Sequence, residues 1–175
     1  LADGFLEGGR IVSVKGRNTN MQMEFDARPG DWLPGIPVVL LFDRGSASAS
    51  EVLAGALQDH GRALVVGERT FGKGSVQSVL PLRNGSGIKL TTARYYTPAG
   101  RSIQAEGIEP DVPIEWELSD DREDDRIREI DLDRHLGSEA EGAKGLTGET
   151  SPLVRDFPLD EVLSALREAG IISSG

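Results

Sequence analysis

Apolar and polar positions divide the chain into two textures. Residues 36–42 form an almost unbroken apolar run through Val38, Val39, Leu40, Leu41 and Phe42, which predicts a strand buried on both faces. Residues 63–67 repeat that pattern with Ala63, Leu64, Val65 and Val66. Between the two runs, Val52, Leu53, Ala56 and Leu57 recur at helical spacing until His60 and Gly61. Strand, tight turn, helix and strand in that order make a β-α-β unit with its two strands parallel. The other texture is shorter and alternating. Residues 10–15 alternate as a half-buried strand does, after an opening (residues 1–6) that reads as the tail of a helix ended by Gly8 and Gly9. A further strand is expected over 21–25, and residues 28–35 carry turn chemistry.

From residue 75 the alternation returns over 75–82 and 88–96, and Asn84-Gly85 between them favours a hairpin. One more strand is expected over 112–116. Residues 137–148 are small and polar enough for a linker, after which Leu159, Val162, Leu163 and Leu166 mark a short amphipathic helix ending near Gly170. No internal repeat is present. The expected organisation is a main domain over 1–118, an acidic linker or tail over 119–150, and a C-terminal helix within 151–175.

Composition narrows the function classes. The 175 residues hold 19 Lys+Arg against 29 Asp+Glu, a formal charge of −10, and the longest charged stretch, near residues 120–133, is mostly acidic. Nucleic-acid binding needs clustered cations and is not expected. With no cysteine there is no disulfide framework, thiolate nucleophile or cysteine-bound zinc. No stretch approaches the roughly 18 apolar residues of a membrane-spanning helix. The chain opens Leu1-Ala2-Asp3, without Met or a basic segment, and is read as a fragment or processed product. Asp120, Asp121, Glu123, Asp124 and Asp125 lack the glycine and the spacing of an EF-hand loop, so they read as a solvated face.

The remaining nucleophiles are hydroxyls. Ser48-Ala49-Ser50-Glu51 has the form of a capping box at the start of the predicted helix. A helix cap accounts for Ser48, yet a strand-turn-helix elbow is also where a hydroxyl can stand at a helix N-terminus with backbone amides ready for an oxyanion. The two histidines do not supply its base. His60 lies at the far end of the same helix and reads as a residue favoured by the helix dipole, while His135 sits in the charged tail. A lysine can serve as base where burial or neighbouring groups favour its neutral amine, and Lys73, in Thr70-Phe71-Gly72-Lys73-Gly74 just after the second buried strand, is the best placed. An exposed lysine in a glycine turn is the plainer reading. Gln77 shares a face with Lys73 and could orient its amine without adding charge. Residues 67–73 also fit G-x-x-x-x-G-K, but Gly74 stands where magnesium ligation wants Ser or Thr, and a strand pattern follows where a P-loop needs a helix.

Taken together, Gly45-Ser46-Ala47-Ser48-Ala49-Ser50-Glu51, Ala54-Gly55-Ala56-Leu57-Gln58-Asp59, Thr70-Phe71-Gly72-Lys73-Gly74-Ser75-Val76-Gln77, residues 90–98 with Gly100-Arg101-Ser102-Ile103-Gln104, and Gly107-Ile108-Glu109-Pro110-Asp111 resemble the bacterial C-terminal processing peptidases, also called tail-specific proteases, over about residues 1–115. The resemblance implies an α/β fold with a Clp protease/crotonase-like core. It implies a serine endopeptidase with Ser48 as nucleophile, Lys73 as general base, Gln77 in support and the Ala49 amide at the oxyanion. No metal or organic cofactor is implied. Expected partners are protein or peptide substrates with apolar C-termini, with room for an adaptor protein and for a homo-oligomer, in the bacterial periplasm or cell envelope. Family members usually carry upstream a PDZ domain and a segment that supplies a second oxyanion amide, neither of which is in this sequence. The chain is therefore expected to be a partial protease domain with little or no activity alone. The alternative is a catalytically silent protein-binding scaffold.

Overall fold

The computed structural model describes residues 1–17, 21–114, 128–132, 159–168, 170 and 172. After a single 3₁₀ turn at Ala2–Phe5 come strands β1 (Gly9–Gly16), β2 (Gln22–Ala27) and β3 (Val38–Phe42), helix α1 (Ala49–Asp59), and strands β4 (Ala63–Gly67), β5 (Ser75–Pro81), β6 (Gly87–Tyr96) and β7 (Val112–Pro113). Helix α2 (Leu159–Glu168) is the last element described.

The two textures of the sequence become two sheets. The continuous apolar runs form the parallel sheet β3-β4-β7, with Val38 opposite Ala63 and Phe42 opposite Gly67. The alternating segments form the antiparallel sheet β2-β1-β6-β5. The β5–β6 hairpin turns at Asn84-Gly85, where Gly85 has φ +84 and the Asn84 side chain accepts from the Ser86 amide.

Helix α1 joins the sheets because its buried face is small. Ala54, Ala56 and Leu57 are buried, and a Cβ on Gly55 would stand 2.7 Å from the Thr97 methyl. One cluster beside the helix contains Phe42, Ala54, Val65, Ile103 and Ile108, and another contains Leu6, Leu57 and Ala63 with Val38 and Leu40 against it. On the other face of the parallel sheet, Val162 and Leu166 of α2 pack with Val66, Val39, Leu41 and Leu64. Both faces of β3 are thus covered, as its apolar run predicts. Its residues 38–41 remain half-buried because β3 is the edge strand, and Ile36 and Pro37 stay exposed outside it.

One local expectation differs from the structure. The opening segment is a 3₁₀ turn rather than the end of an α-helix. Of the strand expected over 112–116, Val112–Pro113 pairs with β4 at Val66 and Gly67, where β4 itself ends, and the Ile114 amide donates to the Gly67 carbonyl at 2.9 Å; residues 115 and 116 lie outside the described residues. Strand β2 is exposed along nearly its whole length, held to β1 by Arg10 with Glu24 and Asp26. The acidic residues 120–125, His135 and the segment 137–148 lie outside the described residues.

Candidate active site

The turn between β3 and α1 is built by its own polar groups. Asp43 Oδ1 accepts from the Ser46 hydroxyl at 2.9 Å and from the Gly45 amide at 3.1 Å, folding the chain back on itself. The next turn ends at Ser48, whose backbone has φ 57 and ψ −113. Such a backbone in a residue with a Cβ stores of order 1–3 kcal/mol and persists only where its surroundings over-determine it. Ser48 is also the N-cap of α1, so a half-buried hydroxyl stands at the positive end of an 11-residue helix. Ala49 opens that helix, which leaves its N–H without an intrahelical partner.

Glu51 supplies the over-determination. It is fully buried, and its Oε2 accepts the Ser48 N–H at 2.7 Å, the side-chain half of the capping box. The same oxygen accepts the Lys73 N–H at 2.8 Å. The amides of the two residues therefore lie within two hydrogen-bond lengths of each other. Oε1 takes the Gly72 N–H at 2.7 Å and the Thr70 hydroxyl at 2.5 Å. Burial pushes the Glu51 carboxyl above its ordinary range, and its bonds to Thr70, Gly72, Ser48 and Lys73 pull it back.

The Lys73 loop is backed from its other side by residues 101–108. Thr70 accepts the Ile108 amide at its hydroxyl (2.8 Å) while its own amide donates to the Ile108 carbonyl (3.1 Å). Ala105 N–H bonds the Gly72 carbonyl, and Gly74 N–H bonds the buried Gln104 Oε1 at 3.0 Å. Gly72, at φ +97, makes the turn, and Gly74 leaves no room for a side chain, since a Cβ there would lie 2.4 Å from Gln104 N. Thus the backbone of Lys73 is fixed while its side chain is exposed. Gln77 follows on β5 at a bulge between Val76 and Gln77, a distortion that re-aims side chains at a strand edge; it pairs with Thr91 and is half-buried.

The structure brings the backbone amides of Ser48 and Lys73 to one carboxylate, places Ala49 next to Ser48 at the start of α1, and sets Gln77 on the strand that follows Lys73. His60 caps the opposite end of α1, where its Nε2 meets the Arg10 carbonyl at 2.6 Å. The G-x-x-x-x-G-K segment has no phosphate cradle, because the Gly72 and Lys73 amides are already bonded to Glu51 and β5 follows. Among the described residues no cluster of His, Asp and Glu could hold a metal ion, and no helix is long and apolar enough to cross a membrane. Sequence reasoning missed the second function of Glu51, whose place in a capping box already explained its charge. Thr70 and Gln104 stand within the sequence motifs, but no spacing there points to their bonds with Glu51 and Gly74.

The family model of peptidase family S41 matches residues 1–114. The chain belongs to peptidase family S41. It is 46% identical over 164 residues to a carboxy-terminal-processing protease of Bartonella bacilliformis, covering 93% of this chain and 37% of that protein. It is 57% identical over 82 residues to a chloroplastic C-terminal processing peptidase of Tetradesmus obliquus, covering 47% of this chain and 18% of that protein. Among solved structures, the photosystem II D1 C-terminal processing protease superposes with a TM-score of 0.61 at 43% identity, over 65% of this chain and 29% of that one. A lipoprotein of Streptococcus agalactiae, at 16% identity and TM-score 0.53, shares the fold. The α/β architecture is that of S41 protease domains, with their Clp protease/crotonase-like core. The chain spans little more than a third of the bacterial relative and less of the others.

Proposed function

We propose that the chain carries the nucleophile and base of a serine endopeptidase that cuts proteins near apolar C-terminal tails. The observation that carries this reading is the single Glu51 oxygen accepting the amides of both Ser48 and Lys73, with Ser48 held in a strained elbow at a helix N-terminus. Lys73 Nζ, as the neutral amine, takes the proton of Ser48 Oγ as that oxygen bonds to the peptide carbonyl carbon. Negative charge moves to the carbonyl oxygen, where the Ala49 N–H donates to it. The C–N bond then breaks, the departing amine takes the proton from Lys73, and water hydrolyses the Ser48 ester with Lys73 again as base. Gln77 orients the lysine amine. The scheme draws on no metal or organic cofactor. Its substrates are protein or peptide tails, delivered directly or by an adaptor to a monomer or homo-oligomer, in the periplasm or cell envelope of a bacterium. The chain spans 37% of the Bartonella relative, and alone it is expected to cleave little or nothing, so the assay uses the full-length protein.

The test is cleavage of an unstructured protein with an apolar tail by the wild type, Ser48→Ala and Lys73→Ala. Loss in both variants, on the order of a thousandfold or more with folding intact, supports the dyad. Undiminished cleavage in either removes that residue from the mechanism. A wild type that cleaves no tail replaces this reading with a silent binding scaffold.

A further inference from the structure

The family match ends at residue 114, yet a short segment beyond it, residues 128–132, lies against the loop that holds Lys73. The segment is a single turn, in which the Asp131 carboxylate accepts the Arg128 amide at 2.9 Å. Among the described residues, hydrogen bonds from this turn reach two neighbouring loops. Glu129 N–H donates to the Phe71 carbonyl at 3.1 Å, and Arg128 Nη2 donates to the Glu106 carbonyl at 3.0 Å. The Glu129 carboxylate accepts Gln104 Nε2 at 3.2 Å, and the other end of that amide, Gln104 Oε1, accepts the Gly74 N–H.

The order of these bonds fixes a direction. An amide side chain has one accepting and one donating end, whereas an ionised carboxylate only accepts. Glu129 therefore holds the NH₂ of Gln104 toward itself and its oxygen toward Gly74. Reversed, the buried amide would set its donors against the Gly74 N–H, and an unsatisfied buried donor is costly. Phe71 and Gly74, one before and one after the Gly72-Lys73 pair, are thus both tied to Glu129, the first directly and the second through one side chain. Glu51 constrains the same loop through the Gly72 and Lys73 amides, beside the bonds of Thr70 with Ile108 and of Ala105 with Gly72.

We propose that Glu129 is a positioning residue for the proposed base: the turn at 128–132 is a clasp that sets the peptide planes flanking Lys73 by orienting Gln104. The proposal rests on the Ser48/Lys73 reading for its effect on cleavage, but the clasp itself has a readout that needs no cleavage. Glu129 is half-buried on a short turn, so its replacement leaves both sheets intact. Glu129→Ala removes this acceptor, Glu129→Gln keeps one, and Glu129→Lys offers donors only, which favours the reversed Gln104 amide. Amide hydrogen exchange, followed by NMR on the full-length protein, is expected to show the Gly74 N–H exchanging about tenfold faster in the Ala and Lys variants and close to wild type in Gln, while Val65 in β4 is unchanged. In the cleavage assay kcat falls at least tenfold in the Ala and Lys variants, KM stays within twofold, and Gln recovers most of the rate.

Unchanged Gly74 exchange in Glu129→Ala and Glu129→Lys overturns the clasp. Faster exchange with kcat untouched, or a loss confined to KM, overturns its role in positioning the base. Faster exchange at Val65 to the same degree marks global destabilisation and likewise overturns the proposal. If the wild-type protein cleaves nothing, the Ser48/Lys73 reading falls by its own experiment, and the exchange pattern alone decides whether Glu129 holds this loop.

Discussion

At the scale of single residues, the site is organised by a conflict between stability and reactivity. Ser48 keeps a backbone that favours glycine, with φ 57, and the elbow is maintained by the bonds Glu51 makes to it. Ser48→Gly relieves the strain and gives back part of the gain as extra freedom of the unfolded chain, so a net stabilisation of about 1 kcal/mol is expected, together with complete loss of the nucleophile. Urea denaturation of this variant beside Ser48→Ala checks it, since alanine keeps the strain and loses the cap oxygen, which is expected to cost about 0.5–2 kcal/mol relative to wild type. The opposite effect is expected at Glu51. Its two oxygens take four donors, so Glu51→Gln turns an amide NH₂ toward two of them. Each buried donor left without an acceptor costs about 1–3 kcal/mol, and a loss of about 2–4 kcal/mol in the same denaturation experiment is expected. A Glu51→Gln protein as stable as wild type would show that the carboxylate is not what joins the two loops.

At the scale of elements, periodicity was a good guide wherever a segment's burial came from its immediate neighbours. The β-α-β unit over β3, α1 and β4 and the β5–β6 hairpin followed from Val38 to Phe42, Ala54 to Leu57 and Asn84-Gly85, because each of those patterns answers to one packed face or one turn. The same logic failed at the opening segment, where four residues end in a 3₁₀ turn before Gly8 and Gly9, too short for apolar spacing to tell one helix type from another. It could see Ser48, Lys73 and Gln77 as candidates but not the bonds that group them, since Glu51, Thr70 and Gln104 meet through tertiary contacts that no spacing records. The loop between β2 and β3 shows how such contacts respond to pH. Arg62 donates from Nε and Nη2 to Asp31 and from Nη1 and Nη2 to the carbonyls of Ile36 and Leu33. The Arg62 bonds, then the Leu33 amide, hold the Asp31 carboxyl below its ordinary value of 3.8. A depressed carboxyl pKa contributes stability that is fully present above the unfolded value and is lost as pH falls through the folded one. Asp31→Asn has no proton to take up there. The stability difference between wild type and Asp31→Asn is therefore expected to be constant near neutrality and to shrink below about pH 4, as read from urea midpoints over a pH series.

At the scale of the whole molecule, the question is whether α2 belongs to the same folding unit as the sheet it covers. Val162 and Leu166 are 2% and 4% exposed, and they close over Val66 at the centre of the parallel sheet, on the face opposite α1. A sheet with helices on both faces buries its parallel strands fully, and without α2 the apolar side chains of Val39, Leu41 and Leu64 would face water. That arrangement predicts a cost for Leu166→Ala of about 2–5 kcal/mol, the range for deleting a buried leucine side chain, rather than the few tenths expected for a helix resting loosely on the surface. It also predicts where the loss is felt. If α2 and the sheet unfold together, Leu166→Ala lowers one cooperative transition, and amide exchange at Val65 and Val66 quickens along with that of α2. If α2 is a separate appendage, the variant frays the helix and leaves the exchange of β4 and the main unfolding transition where they were. Because β4 leads directly through Gly67 into the loop that carries Thr70 and Lys73, the cooperative outcome would tie the stability of the candidate site to a helix well outside the family match.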